Sequence, residues 1–118
     1  MEDKMNKKKL FVVIHLHSPK EKYWGVLLKY SSAGTWITGI NLKGFEEFIN
    51  SCYGEISDEI NFTTSFFPMY RVEKITLDEA MGEIPSMKEF FESKTGKNLD
   101  EIVKSKIENV EILLEKNG

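Results

Sequence analysis

The chain carries two histidines, His15 and His17, and a single cysteine, Cys52. His15 and His17 sit two apart at the end of the run LFVVIHLH. On a strand, that spacing projects both rings from one face. Two imidazoles so placed suit two ligands of a zinc or similar ion. A third ligand would have to come from Cys52, Glu46 or Glu47, and nothing nearby in sequence fixes which. A closed structural site needs four ligands, so the expectation is two partly exposed histidines bonded to backbone or water, with no metal and no cofactor. A nucleophilic reading pairs Cys52 with His15 or His17. Cys52, however, completes an apolar stripe with Phe45, Phe48 and Ile49 at helical spacing, where a thiol acts as a small hydrophobe.

Acid–base chemistry needs carboxylates that converge on one cleft. The adjacent acids Asp58-Glu59 and Asp78-Glu79 do not supply that by adjacency, and they read as solvated turns. There is no G-x-G-x-x-G, Walker A or G-x-S-x-G segment. Aromatic residues make up 12% of the chain, and rings on a small barrel can stack bases. Most of these rings, including Trp24, Trp36, Phe62 and Phe67, fall at or beside core positions. Lys20, Lys22 and Arg71 offer sparse phosphate contacts, and the net charge of −3 argues against a broad basic surface. The cluster Lys7-Lys8-Lys9 reads as a solvated arm.

The elements that must position these residues begin with residues 10–42, where three apolar-rich runs are separated by two short Pro- or Gly-containing breaks. This is the pattern of a three-stranded antiparallel meander. The expected register sets Leu16 opposite Trp24, Ile14 opposite Val26, Val12 opposite Leu28 and Leu10 opposite Tyr30. Trp36, Thr38, Ile40 and Leu42 join the same face, taken as the core side. The second face then carries Phe11, Val13, Leu27 and Ile37 at one end. At the other end it carries His15, His17, Tyr23, Gly25, Gly39 and Asn41. With Tyr70 and Arg71, the residues His15, His17, Tyr23, Gly25 and Asn41 form the candidate binding face. The apolar half of that face calls for cover by the chain's own helices or a second subunit.

Residues 1–9 are charged and aperiodic and read as a loose tail. A short helix is expected over 45–53, closed by Gly54. A fourth strand is expected over 61–67, broken by Pro68. A tight turn follows over 69–72, and a fifth strand over 73–78 with Ile75 and Leu77 inward. Ser86-Met87-Lys88-Glu89 is a capping box, and Gly96 ends its helix. Asn98 and Glu101 open a second helix over 99–116, striped by Leu99, Ile102, Val103, Ile107, Val110, Leu113 and Leu114. At 118 residues the chain reads as one domain. It divides into a tail at 1–9, a small barrel over 10–80 and C-terminal helices over 86–116.

The element order over 10–78 resembles the SH3-like or Sm-like small barrel, with a helix inserted after the third strand. The segments HLHSPKEKYWGVLL, TWITGINLKGFEEFI, FFPMYRVEKITLDE and IPSMKEFFESKTG resemble a family of short, uncharacterised bacterial proteins. That likeness runs from about residue 12 to residue 96 and implies no activity. Members often have His where this chain has Tyr70, which removes a further metal ligand here. The helix over 99–116 lies outside the likeness.

The expectation is an α+β protein: a five-stranded antiparallel SH3-like/Sm-like barrel with two C-terminal helices. It would act as a non-enzymatic interaction or assembly module. Sm-like RNA binding and a metal-dependent enzyme using His15 and His17 are the alternatives. A homo-oligomer through the second sheet face or the 99–114 helix is the expected partner arrangement. A protein partner is open, RNA is less favoured, and no membrane association is expected. One free cysteine and the absence of a long apolar run point to a cytoplasmic protein.

Overall fold

A computed structural model describes residues 9–45 and 62–117. The expected helix over 45–53 lies outside these residues apart from Phe45, as do Glu46, Glu47, Cys52 and Asp58-Glu59. The strands are β1 (Phe11–Leu16), β2 (Glu21–Tyr30), β3 (Gly34–Asn41), β4 (Thr63–Pro68) and β5 (Val72–Leu77). Two 3-10 turns, Leu42–Gly44 and Met69–Arg71, follow β3 and β4. The helices are α1 (Met87–Thr95) and α2 (Leu99–Asn117). The strands form one antiparallel sheet in the order β4-β3-β2-β1-β5. The protein is therefore α+β, a five-stranded sheet with two C-terminal helices.

The register of β1 on β2 differs from the expected one by an odd number of residues. Val13 lies opposite Trp24, Ile14 opposite Tyr23 and Val12 opposite Gly25. The face of Val12, Ile14 and Leu16 is thus not the face of Trp24 and Val26. The β2–β3 register pairs Trp24 with Ile40 and Val26 with Thr38, so these four share one face, as expected. A bulge between Leu27 and Lys29 then shifts the pairing.

Each face buries its own core. On the first, Phe11, Trp24, Val26, Ile40 and Phe62 pack with Phe91 of α1 and Leu99, Val103 and Ile107 of α2. On the second, Val12, Ile14, Leu16 and Ile37 pack with Tyr23, Leu27, Phe67, Val72 and Ile75. The apolar second face therefore does not exist as one surface. Phe11 and Val13 lie in the helix-side core, while Leu27 and Ile37 lie in the other. Leu77, expected inward, is 54% exposed.

Among the described residues the second core is made only of strand residues, and the sheet curls around it. Tyr23 and Phe67 show how tightly. On a flat sheet they would stand two strands apart and six residues apart along β3, a separation of roughly 20 Å. Their ring centroids are 4.8 Å apart. Gly25 and Gly39 face each other across β2 and β3 where this curl is sharp. A Cβ on Gly25 would overlap the Thr38 carbonyl and the Gly39 Cα.

The helices start where local chemistry directs. Ser86 accepts from the Glu89 amide at 3.0 Å, and Glu89 Oε1 accepts from the Ser86 amide at 2.9 Å. Gly96 closes α1 in the left-handed region at φ 72°. Asn98 Oδ1 accepts from the Glu101 amide at 3.1 Å and opens α2.

Asp78, read from sequence as a turn acid, joins the layers. Its carboxylate accepts from the Met87 and Lys88 amides at 2.8 and 2.9 Å, satisfying free N–H groups of α1. The same carboxylate accepts from the Trp24 indole at 3.1 Å. Trp24 is fully buried among Phe11, Phe45 and Phe62, so its N–H needs such a partner.

Two substitutions check this arrangement. Gly25→Ala should destabilise by about 1–3 kcal/mol through overpacking, measured by urea denaturation. An unchanged midpoint would mean that the strands do not approach this closely. Asp78→Ala should cost about 1–3 kcal/mol, because it strips a cap and an indole partner together. Asp78→Asn keeps one acceptor oxygen and should lose less, so equal losses would count against the shared carboxylate.

Candidate functional site

The candidate binding face is divided by the register. Tyr23, Gly25 and Asn41 lie on the strand-only side, with Tyr23 packed edge-on to Phe67. His15 lies on the opposite, helix-side face, because it follows Phe11 and Val13 by strand alternation. β1 ends at Leu16, so alternation does not extend to His17, which sits exposed in the turn. His15 Nε2 is 3.0 Å from Thr76 Oγ1, and His17 Nδ1 is 3.3 Å from Ser18 Oγ. Among the described residues, no group of three or more His, Cys, Asp or Glu side chains could hold a metal ion.

Asn41 caps the first 3-10 turn by accepting from the Lys43 amide at 2.8 Å. Arg71 donates to Glu21 Oε1 at 3.1 Å and to the Pro19 carbonyl at 3.3 Å, tying the second 3-10 turn to the β1–β2 connection. The Arg71 carbonyl accepts from the His17 amide at 3.0 Å. Tyr70 stands 78% exposed beside it.

These ties shape one end of the sheet. A cleft of about 380 Å³ opens there, lined by Lys20, Glu21, Lys22, Asn41, Leu42 and Lys43. Its only carboxylate among these lining residues, Glu21, is already paired with Arg71. Beyond the cleft, Lys22 lies opposite His15 on β1, and His15 lies opposite Lys74 on β5. A row of cationic or ionisable side chains thus crosses three strands on one face. Burial holds the His15 pKa below its ordinary 6.5, with Lys74 and Lys22 pushing the same way and Glu73 opposing.

The arrangement can attract an anion by charge and offer ammonium donors to it. Lys43 and Lys74 were absent from the candidates named by sequence. Lys20 and Lys22 were recognised, but only the true register sets Lys22, His15 and Lys74 side by side.

A lowered folded-state pKa means that the unfolded chain binds the His15 proton more readily. His15 therefore costs stability as pH falls below about 6.5, fully so once the pH is below the folded value. Lys74→Gln should raise the His15 pKa toward the ordinary value, followed by imidazole NMR titration. No movement would mean that Lys74 does not act on it and that burial and Lys22 lower it. Comparison of the chain with protein-family models, curated proteins and solved structures finds no match.

Proposed function

We propose that the protein is a non-enzymatic interaction or assembly module built on an SH3-like or Sm-like small barrel, and that its first partner is a second copy of itself. The strand order and the 3-10 turn between the edge strands support the barrel reading, as does the ring contact between Tyr23 and Phe67. A bacterial, cytoplasmic setting belongs to the same proposal. It accords with the likeness to short bacterial proteins and with the lone Cys52. No helix among the described residues is long and apolar enough to cross a membrane.

One observation carries the assembly reading. Among the described residues, β4 pairs only with β3, and β5 only with β1. Each leaves a row of backbone donors and acceptors on its outer side, a template for strand addition. Tyr70 and Met69, exposed on the turn that joins these edges, supply apolar contact area. A second copy brings both edges with it, so edge-to-edge addition closes without a foreign partner. The 99–114 helix, expected from the sequence as a possible contact, has Leu99, Val103 and Ile107 buried in the core it shares with the chain's own sheet, which favours the strand edges.

Analytical ultracentrifugation at about 10–100 µM should give a dimer or larger assembly whose mass rises with concentration. Amide exchange in β4 and β5 should slow over the same range. A monomer throughout, with exchange independent of concentration, would overturn the proposal.

A further inference from the structure

We propose that the lysine-lined cleft and the row Lys22–His15–Lys74 form a binding site for the phosphodiester backbone of a single-stranded nucleic acid.

The placement of charge is the first support. Residues 9–45 contain five lysines and one acid, Glu21, whereas residues 46–61 contain five acids and no lysine or arginine. The overall charge of −3 therefore conceals a basic segment, in which Lys20, Lys22 and Lys43 gather at the cleft while Lys9 and Lys29 lie toward the other end of the sheet. Lys20, Lys22, Lys43 and Lys74 are exposed and make no ion pair among the described residues. Lys88, by contrast, bridges Glu92 and Asp100, both at 3.3 Å.

The geometry is the second. Lys22, His15 and Lys74 occupy directly opposed positions on β2, β1 and β5. Adjacent strands lie about 4.8 Å apart, so the row spans about 10 Å. His15, its pKa held below 6.5, is largely uncharged near neutral pH, so the row sets the Lys22 and Lys74 ammonium groups on either side of a neutral imidazole, and a phosphate chain laid across it meets both cations. Lys20 and Lys43 extend the positive track into the cleft. Glu73 is the carboxylate at the β5 end, and the exposed Thr76 has its Oγ1 3.0 Å from His15 Nε2.

The lining also limits the mode of recognition. No aromatic ring lines the cleft, so bases have no stacking platform there. Phosphates are bound and sequence is not read. RNA and DNA single strands should bind comparably.

The test uses the full chain and a fluorescently labelled short oligouridylate, read by anisotropy. At about 150 mM salt the expected Kd is ~10⁻⁴–10⁻⁶ M. Four lysine contacts predict a slope of log K against log salt of about −2.8. The Lys22→Gln, Lys74→Gln double variant should weaken binding ~10-fold or more and halve that slope to about −1.4. Both substitutions are at exposed positions, and an unchanged circular dichroism spectrum confirms folding. Lys104→Gln, exposed on α2, should leave binding unchanged. Equal losses in the double variant and Lys104→Gln would overturn the site. So would the absence of any signal up to ~10⁻³ M protein, or binding of inorganic tripolyphosphate without oligonucleotide binding.

Discussion

The carboxylate of Asp78 is the point on which the two layers of this protein depend. It ends β5, receives the indole N–H of a fully buried tryptophan from β2, and takes the first free amides of α1. Each of these donors would be costly to bury alone. Held by one acceptor group, they fix where α1 begins relative to the sheet. Its position then decides where Phe91 enters the helix-side core and where Lys88 meets Asp100 of α2. The Asp78 amide also donates to the Phe11 carbonyl, so the residue is anchored by its backbone as well.

The helices were legible because their signals are local. Ser86, Glu89, Gly96 and Asn98 act within one turn of themselves, and the structure uses each as its spacing indicates. The strands were legible as elements for the same reason, with bounds close to those expected. The β1–β2 register was not legible. Burial selects a register only where one face is wet, so that a one-residue slip exposes apolar side chains. Here β1 is buried on both faces, with Phe11 in one core and Val12 in the other. Either parity satisfies burial, and the choice passes to the turn at His17–Lys20 and to contacts far along the chain. Trp24, Val26, Ile14 and Leu16 were rightly expected to be buried, yet they serve two different interiors.

The candidate site suffered from the same error. A face assembled from the wrong parity joined His15 to Tyr23 and Asn41, which lie on opposite sides of the sheet. Asp78 was missed for a different reason: its partners are nine to fifty-four residues away, and no spacing rule reaches that far. The charge asymmetry along the chain needed no structure. A whole-chain total hid it, and a count by segment would have shown that residues 10–43 carry four lysines against one acid.

A sheet with two interiors also changes what natural variation can do. An ordinary antiparallel strand tolerates polar drift at every second position, because one side chain in two faces water. β1 has no such positions from Phe11 to Ile14: three of its four side chains are buried and Val13 is half-buried. Divergence there is confined to exchanges of apolar shape, such as valine for isoleucine. The strand should therefore keep the look of one from a fully covered parallel sheet while its neighbours on both sides run antiparallel.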